Sequence, residues 1–245
     1  MSKEKDALYS KPMDEIPEFV FDKKVVAVFD DMIQRSVPGY RMLVSMVSII
    51  AQKHCKANTR VYDLGCSTGA NVIAIASALQ HSLASSEIIA VDNSQAMLDQ
   101  AQNNYTTLEL LSSVSWRCED ICATDIQRAS MVIMNYTLQF IPLANRDVLI
   151  KKIAEGMLAG GAMLLSEKIC YDSRLLDDEM NDLYHEFKRN NGYSDLEISQ
   201  KRSALENVLV RETINTHIER LQAAGFSSVT PWFQCFNFVS FLAVK

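Results

Sequence analysis

No run in the chain approaches the roughly 20 apolar residues that span a bilayer. Its opening residues, MSKEKDALYSKPMDE, alternate charge instead of building an apolar leader. Neither a membrane span nor a secretory route is expected, and the protein is expected to be cytoplasmic. Cysteines at metal-binding or redox spacing are also missing: Cys55, Cys66, Cys118, Cys122, Cys170 and Cys235 contain no C-x-x-C pair, and the 4 histidines are scattered. Neither a disulfide framework nor a metal site is expected, and reduced thiols are the natural state. Only 8 glycines and 5 prolines interrupt the 245 residues, with no linker, repeat or low-complexity tract, so one continuous domain over 1–245 follows. An excess of positive charge is lacking too: the net charge of −6 argues against the broad basic surface of a nucleic-acid binder and for a small-molecule substrate.

What is present is a 48% hydrophobic composition, enough for a sizeable core, laid out in a regular alternation. The runs RVYDLG, EIIAVD, VSWRCED, ASMVIMNYTLQF and AMLLSEKI have the length and composition of strands. Between them ANVIAIASALQ, SQAMLDQAQNNY and RDVLIKKIAEGML have helical periodicity. Such alternation predicts an α/β fold of Rossmann-like type, with helices on both faces of a mostly parallel sheet. The tail VTPWFQCFNFVSFLAVK has two strand-like runs about Asn237 and no room for a helix, so it predicts an antiparallel hairpin that completes a seven-stranded sheet. Ala159-Gly160-Gly161 is expected to turn the chain after a helix ending near Leu158, and Gly225 to stop the last helix. Two further stretches, 21–55 near the start and 172–224 with a break at Asn190-Asn191-Gly192-Tyr193, are helical in pattern. The second is too long for a simple connection, and both are expected to cover a ligand site.

The chemistry-bearing residues gather at predicted strand ends. Val61-Tyr62-Asp63-Leu64-Gly65-Cys66-Ser67-Thr68-Gly69 runs from a strand through a small-residue turn into a helix, without the spacing of a dinucleotide glycine motif or a phosphate loop. Gly65 and Gly69 permit close backbone approach, and Asp63 can face a cationic group. The next strand ends in Asp92-Asn93-Ser94, where a carboxylate accepts from ribose hydroxyls in nucleotide-binding β-α-β units; the alternative is a helix cap. The third ends at Asp120-Ile121, placed to take an adenine amino group and ring, and the fourth at Asn135-Tyr136. Each alone is compatible with a loop or cap. Together they describe an adenosine site without a phosphate anchor, as S-adenosylmethionine requires. The aromatic group Trp232, Phe233, Phe236 and Phe238 is assigned to the core of the hairpin, and Met42 and Met46 to a helix face.

The motif order resembles that of class I S-adenosylmethionine-dependent methyltransferases. Motifs outside that generic pattern narrow the likeness: Asp31-Met32-Ile33-Gln34-Arg35-Ser36-Val37-Pro38-Gly39-Tyr40, ASMVIMNYTLQF, LLSEK, Asn191-Gly192-Tyr193-Ser194, Leu196-Glu197-Ile198-Ser199-Gln200-Lys201-Arg202, Leu205-Glu206-Asn207 and the Trp232–Phe238 run. In these the chain resembles the carboxy-S-adenosyl-L-methionine synthase family, from about Phe21 onward. The resemblance implies an enzyme that takes S-adenosyl-L-methionine as substrate and prephenate as carboxyl donor, releases phenylpyruvate, uses no metal, and forms a homodimer. Its product would pass to a carboxymethyltransferase that makes 5-carboxymethoxyuridine (uridine 5-oxyacetic acid) at the tRNA wobble position. Carried over, the ligand contacts are Tyr40, Gly65, Cys66, Ser67, Asp92, Asn93, Asp120, Ile121, Asn135 and Arg202. Tyr40 and Arg202 would act at the reacting end, Arg202 meeting the transferred carboxylate. Asn71 and Asp30 depart from the family pattern, standing where small residues and proline are common.

A sulfonium acidifies its methyl protons, so an ylide can form and attack carbon dioxide; the family mechanism draws its base from prephenate's own breakdown. A guanidinium suits the resulting carboxylate because its planar fork donates two parallel hydrogen bonds. Without the resemblance, Arg202 reads as a helix-surface arginine paired with Glu197 or Glu206. Two other functions stand against the synthase: an ordinary methyltransferase of a small acid or of tRNA, and a non-catalytic cofactor-binding module. The acidic balance disfavours tRNA as a direct substrate, and the complete set of strand-end residues disfavours a degenerate module.

Overall fold

The apolar runs become strands covered on both faces, which is why their hydrophobicity is continuous instead of alternating. In the computed structural model, which describes residues 4–79, 86–108, 110 and 112–245, β1 (Arg60–Leu64), β2 (Glu87–Asp92) and β4 (Ala129–Asn135) are buried along nearly their whole length. β3 (Ser113–Cys118) is a half-exposed edge. With β5 (Met157–Lys168), β6 (Ser228–Cys235) and β7 (Phe238–Val244) they form one seven-stranded sheet in the order β3-β2-β1-β4-β5-β7-β6. β1 pairs in parallel with both β2 and β4, and only β7 runs antiparallel to its neighbours β5 and β6. The predicted hairpin is therefore present, with Pro231 on the outer strand where a missing N–H does no harm.

Strand order reverses beside β1, because β2 and β3 lie on one side and β4 and β5 on the other. That reversal opens a crevice at the carboxyl ends of β1 and β4. Helices α3 (Ala70–Leu79), α4 (Gln95–Thr106) and α5 (Leu143–Gly156) provide the crossovers. α4 begins at an N-cap, Ser94, whose hydroxyl accepts from Met97 N. A 3-10 turn, Leu138–Phe140, follows β4.

α1 (Lys23–Ser36) and α2 (Tyr40–His54) precede the sheet, and α6 (Arg174–Asn190) and α7 (Asp195–Leu205) rise from the carboxyl end of β5. α6 stops at Asn190, the chain turns through Gly192 at φ 82°, and α7 restarts on a reciprocal Ser194/Glu197 capping box. α8 (Ile214–Ala223) closes the same stretch but packs beside α5, with Leu221 and Ile218 in the core beneath the sheet. The part of 172–224 that stands above the strand ends is therefore α6 and α7. The segment before α1 is tied down at a distance: Tyr193 Oη donates to Asp6 Oδ2 at 2.5 Å, and Phe19 N donates to Ala204 O at 3.0 Å.

One local expectation is corrected. The helix before the Gly160-Gly161 turn ends at Gly156, and the strand has already begun at Met157. Ala129 pairs with Met157 and Met131 with Ala162, so Leu158–Gly161 bulge out of β5 instead of preceding it. The bulge is held by the far end of the chain, where Gly160 N donates to Lys245 O and Lys245 N to Gly161 O.

Candidate active site

At the crevice lies a cavity of about 700 Å³, within the range of sites that enclose a nucleoside-sized ligand. Its floor is the loop after β1. Gly65 stands at φ 81°, and a Cβ there would lie 2.3 Å from Thr137 Oγ1, so no other residue fits. Gly65 N and Cys66 N both donate to Val91 O, and Ser67, itself at φ 51°, donates its N–H to Asp92 Oδ2 at 2.9 Å. Asp92 Oδ1 accepts from Ser94 N at 2.9 Å. The cap proper is thus Ser94, while Asp92 braces the turn on one side, the helix entry on the other, and lines the cavity. Burial pushes its carboxyl up, against the pull of the Ser94 and Ser67 N–H groups. Asp120 uses Oδ1 on Cys122 N at 2.8 Å, with buried Ile121 beside it.

Beneath the cavity, polar groups form a chain across the sheet. Ser166 Oγ bonds Ser240 Oγ at 2.8 Å and Asn135 Oδ1 at 2.6 Å; Asn135 Nδ2 donates to Asn71 Oδ1 at 3.2 Å, and Asn71 Nδ2 to Asp63 Oδ1 at 3.3 Å. Asn71, a departure from the family pattern, is thereby the link between the ends of β1 and β4. Asp63 Oδ2 is buried with no partner among the described residues. Burial pushes this carboxyl up to about 7, opposed by the Asn71 hydrogen bond and aided by Asp92. An ammonium at that oxygen would return it to the ionised form. Asp30, the other departure, accepts from Thr68 Oγ1 at 2.9 Å and so ties α1 to the loop.

Of the residues expected to meet ligand, Tyr40, Gly65, Cys66, Ser67, Asp92, Asn93, Asp120, Ile121 and Asn135 all line this one cavity. Burial raises the Tyr40 phenol, with Asp63 and Asp30 adding to the effect, so at neutral pH it is a hydrogen-bond donor and not a base. Arg202 is the exception: it is exposed on α7 and absent from the lining, although its charge acts on Lys168 and His185. Neither Glu197 nor Glu206 pairs with it among the described residues; Glu197 is engaged by Ser194.

Several lining residues were not expected. Phe19, Val20 and Phe21 form part of the roof, with the Phe21 ring 5.4 Å from Phe140. Tyr136, Lys168, Tyr184 and Lys201 also line it. Phe238, assigned to the hairpin core, is 4% exposed and also walls the cavity. Lys168 was within reach of the rule that found the others, since it ends β5; the roof residues carry no comparable signal. Among the described residues no group of three or more His, Cys, Asp or Glu is placed to hold a metal, and no helix is long and apolar enough to cross a membrane. The six cysteines are unpaired.

A family model described as a methyltransferase domain matches residues 61–161. Over its full length the chain is 51% identical to the carboxy-S-adenosyl-L-methionine synthase of Hahella chejuensis, with 100% of each chain covered. It is 48% identical to that of Trichlorobacter lovleyi, again over 100% of each, and 45% to that of Actinobacillus pleuropneumoniae, over 98% of this chain and 99% of the other. Among solved structures, the magnesium protoporphyrin IX methyltransferase of Synechocystis with bound SAH superposes at a TM-score of 0.60 and 15% identity, covering 87% of each chain. A putative S-adenosyl-L-methionine-dependent methyltransferase from Methanococcus maripaludis gives 0.58 and 20%, covering 96% and 97%. Likeness at such identities concerns the fold alone.

Proposed function

Because the chain belongs to the carboxy-S-adenosyl-L-methionine synthase family, we propose that this enzyme converts S-adenosyl-L-methionine and prephenate to carboxy-S-adenosyl-L-methionine and phenylpyruvate. The observation that carries the reading is the polarity of the cavity. Its floor offers the carboxylates Asp92 and Asp120 for the hydroxyls and amino group of an adenosine, with buried Asp63 behind for a cationic amine. At the carboxyl end of β5 the lining adds the cation Lys168, as an anionic second substrate requires. In the overall reaction the donor loses a carboxyl group and a hydroxide, the methyl carbon loses a proton and gains the carboxyl, and water is the third product. Tyr40 and the Asn135 amide serve to orient the sulfonium arm; neither need take the proton. The product supplies a tRNA wobble-uridine carboxymethyltransferase in the cytoplasm, so the protein itself needs no nucleic-acid surface.

Incubated with both substrates, the protein is expected to release phenylpyruvate and a cofactor heavier by one CO₂, with no accumulation of S-adenosylhomocysteine, because the methyl carbon stays on sulfur. Chromatography with intact mass detection reads all three species. Stoichiometric S-adenosylhomocysteine with any acceptor would instead make the protein an ordinary methyltransferase.

Arg202 and the dimer belong to the same proposal. α6 leaves Leu175 at 79%, Leu176 at 40% and Leu183 at 38% exposure, an apolar strip of the kind that symmetric self-association buries. Docked there, a second copy brings exposed Arg202 to the neighbouring cavity, where its fork meets the transferred carboxylate. Arg202→Ala is then expected to leave S-adenosylmethionine affinity unchanged and to abolish retention of the carboxylated product. Mixed with Asp92→Ala, it should recover up to one working site per heterodimer. A mixture no more active than its components, with subunit exchange verified by native mass spectrometry, would show that the site is not shared.

A further inference from the structure

Among the described residues, the cations drawn in from the surface are nearly all matched. Arg146 and Arg220 share Glu212, Arg211 holds Asp177 with both nitrogens, Arg35 meets Asp31, and Lys201 lies 3.7 Å from Asp6. Lys168 and Lys188 are not. Among the described residues no hydrogen bond or ion pair reaches either ammonium; each is instead set against the same ring, Lys168 Nζ 4.4 Å and Lys188 Nζ 5.4 Å from the Tyr184 centroid. Lys188 is 4% exposed. Two ammoniums against one buried tyrosine, with no carboxylate in hydrogen-bond reach, repel each other, and an anion bound there relieves the repulsion. Burial, with Arg211 adding and Asp177 opposing, lowers Lys168 to about 7, which marks the same shortage of negative charge.

Lys168 is the member of this pair that faces the cavity. It ends β5, fixed by its own N–H to Gln139 Oε1 at 3.0 Å, and its ammonium also lies 5.9 Å from the Phe238 ring. The Phe238 ring also packs on Tyr136, ring to ring at 5.8 Å. Among the described residues the buried Tyr136 hydroxyl has no partner, and the residue holds φ 60°, a conformation costly for an aromatic side chain. An unmatched cation and an unmatched hydroxyl therefore flank one aromatic wall.

We propose that Lys168 binds the carboxylate that the donor acid keeps, with the Tyr136 hydroxyl of the same cavity as a second donor, while the apolar body of the donor lies against Phe238 and Tyr184. The inference rests on the carboxyl-transfer reading and deepens it. A donor with two carboxylates presents one to be transferred, which Arg202 follows, and one that stays in the released oxo acid, which Lys168 holds. Substrate choice then depends on the distance between the two charges, and a monocarboxylate of the same ring size is a poor donor.

The test is a kinetic split on the full-length protein. Lys168→Met is expected to raise the KM for prephenate about 10- to 100-fold, the loss of one charge-assisted contact, and to weaken phenylpyruvate as a product inhibitor by a similar factor. The dissociation constant for S-adenosylmethionine should not change. Lys168→Arg should recover part of the KM. Tyr136→Phe should shift the same two constants in the same direction by a smaller factor. Should Lys168→Met fail to fold, Lys168→Gln carries the same comparison. A variant that turns over with the wild-type KM for prephenate overturns the proposal while leaving the reaction intact, as does an equal loss for both substrates, which would mean a structural role. Wild-type protein that forms no carboxylated product at all would instead remove the reading on which the proposal rests.

Discussion

Replacing Arg146 with methionine is expected to lower the unfolding free energy by about 3–5 kcal/mol, because three backbone carbonyls lose a buried charged donor while Glu212 keeps Arg220. Arg146 has no exposed surface. Its Nη1 meets Glu212 Oε2 at 2.5 Å, Nε donates to Ile141 O at 2.9 Å, and Nη2 donates to Gln139 O and Val210 O at 3.1 and 3.0 Å. One guanidinium thus staples the turn after β4 to the loop before α8. Both segments wall the cavity, through Gln139, Phe140 and Ile141 on one side and Val208 and Leu209 on the other. Burial alone would raise the Glu212 carboxyl, but hydrogen bonds from Arg220 and Arg146 more than reverse this and leave it below its ordinary 4.5. A depressed carboxyl contributes stability above its unfolded value and gives it up as pH falls through the folded one. Denaturant titrations at neutral pH should therefore show the full deficit, and the difference between wild type and variant should narrow below about pH 4. A loss under about 1 kcal/mol would mean that the pair merely replaces equally good solvation.

Asp92→Ala is expected to weaken S-adenosylmethionine binding by about 1.5–3 kcal/mol, or roughly 10- to 150-fold in the dissociation constant. The carboxylate already accepts from Ser67 N and Ser94 N, so its remaining lone pairs face the cavity where ribose hydroxyls would arrive. Part of any loss will come from the loosened turn. Asp92→Asn separates the two contributions, because its amide oxygen can keep one of those N–H donors while the charge is gone. Calorimetric titration reads both variants; an unchanged constant in Asp92→Ala would reduce the residue to a brace for the turn.

The parallel sheet was legible because its inner strands are short apolar runs closed by a polar residue, a pattern set by burial on both faces. The first four of those polar closures also located the cavity floor. Lys168 obeys the same rule at the fifth strand end, yet in LLSEK it reads as an ordinary charged stop, and only the packing of Tyr184 and Phe238 around it shows that its ammonium meets rings and no carboxylate. The Gly160 bulge was illegible for a different reason: its hydrogen bonds come from Lys245, and no local pattern reports a partner at the other end of the chain. Phe19 to Phe21 look like the edge of a charged leader segment, and their place in the roof depends on Ala204. Asn71 looked like an irregularity in a small-residue turn and is the bridge between two strand ends.

The ties of Asp6 to Tyr193 and of Tyr9 O to Gln200 Nε2 join residues 187 and 191 positions apart. During synthesis the leading segment leaves the ribosome long before its docking surface on α7 exists, and it must wait, undocked, for most of the chain to follow. Contacts of such long range are entropically expensive to close and come late. The order of events is thus built into the topology: sheet and crevice first, roof last. A newly made molecule passes through a stage in which its binding site is formed but still open to solvent.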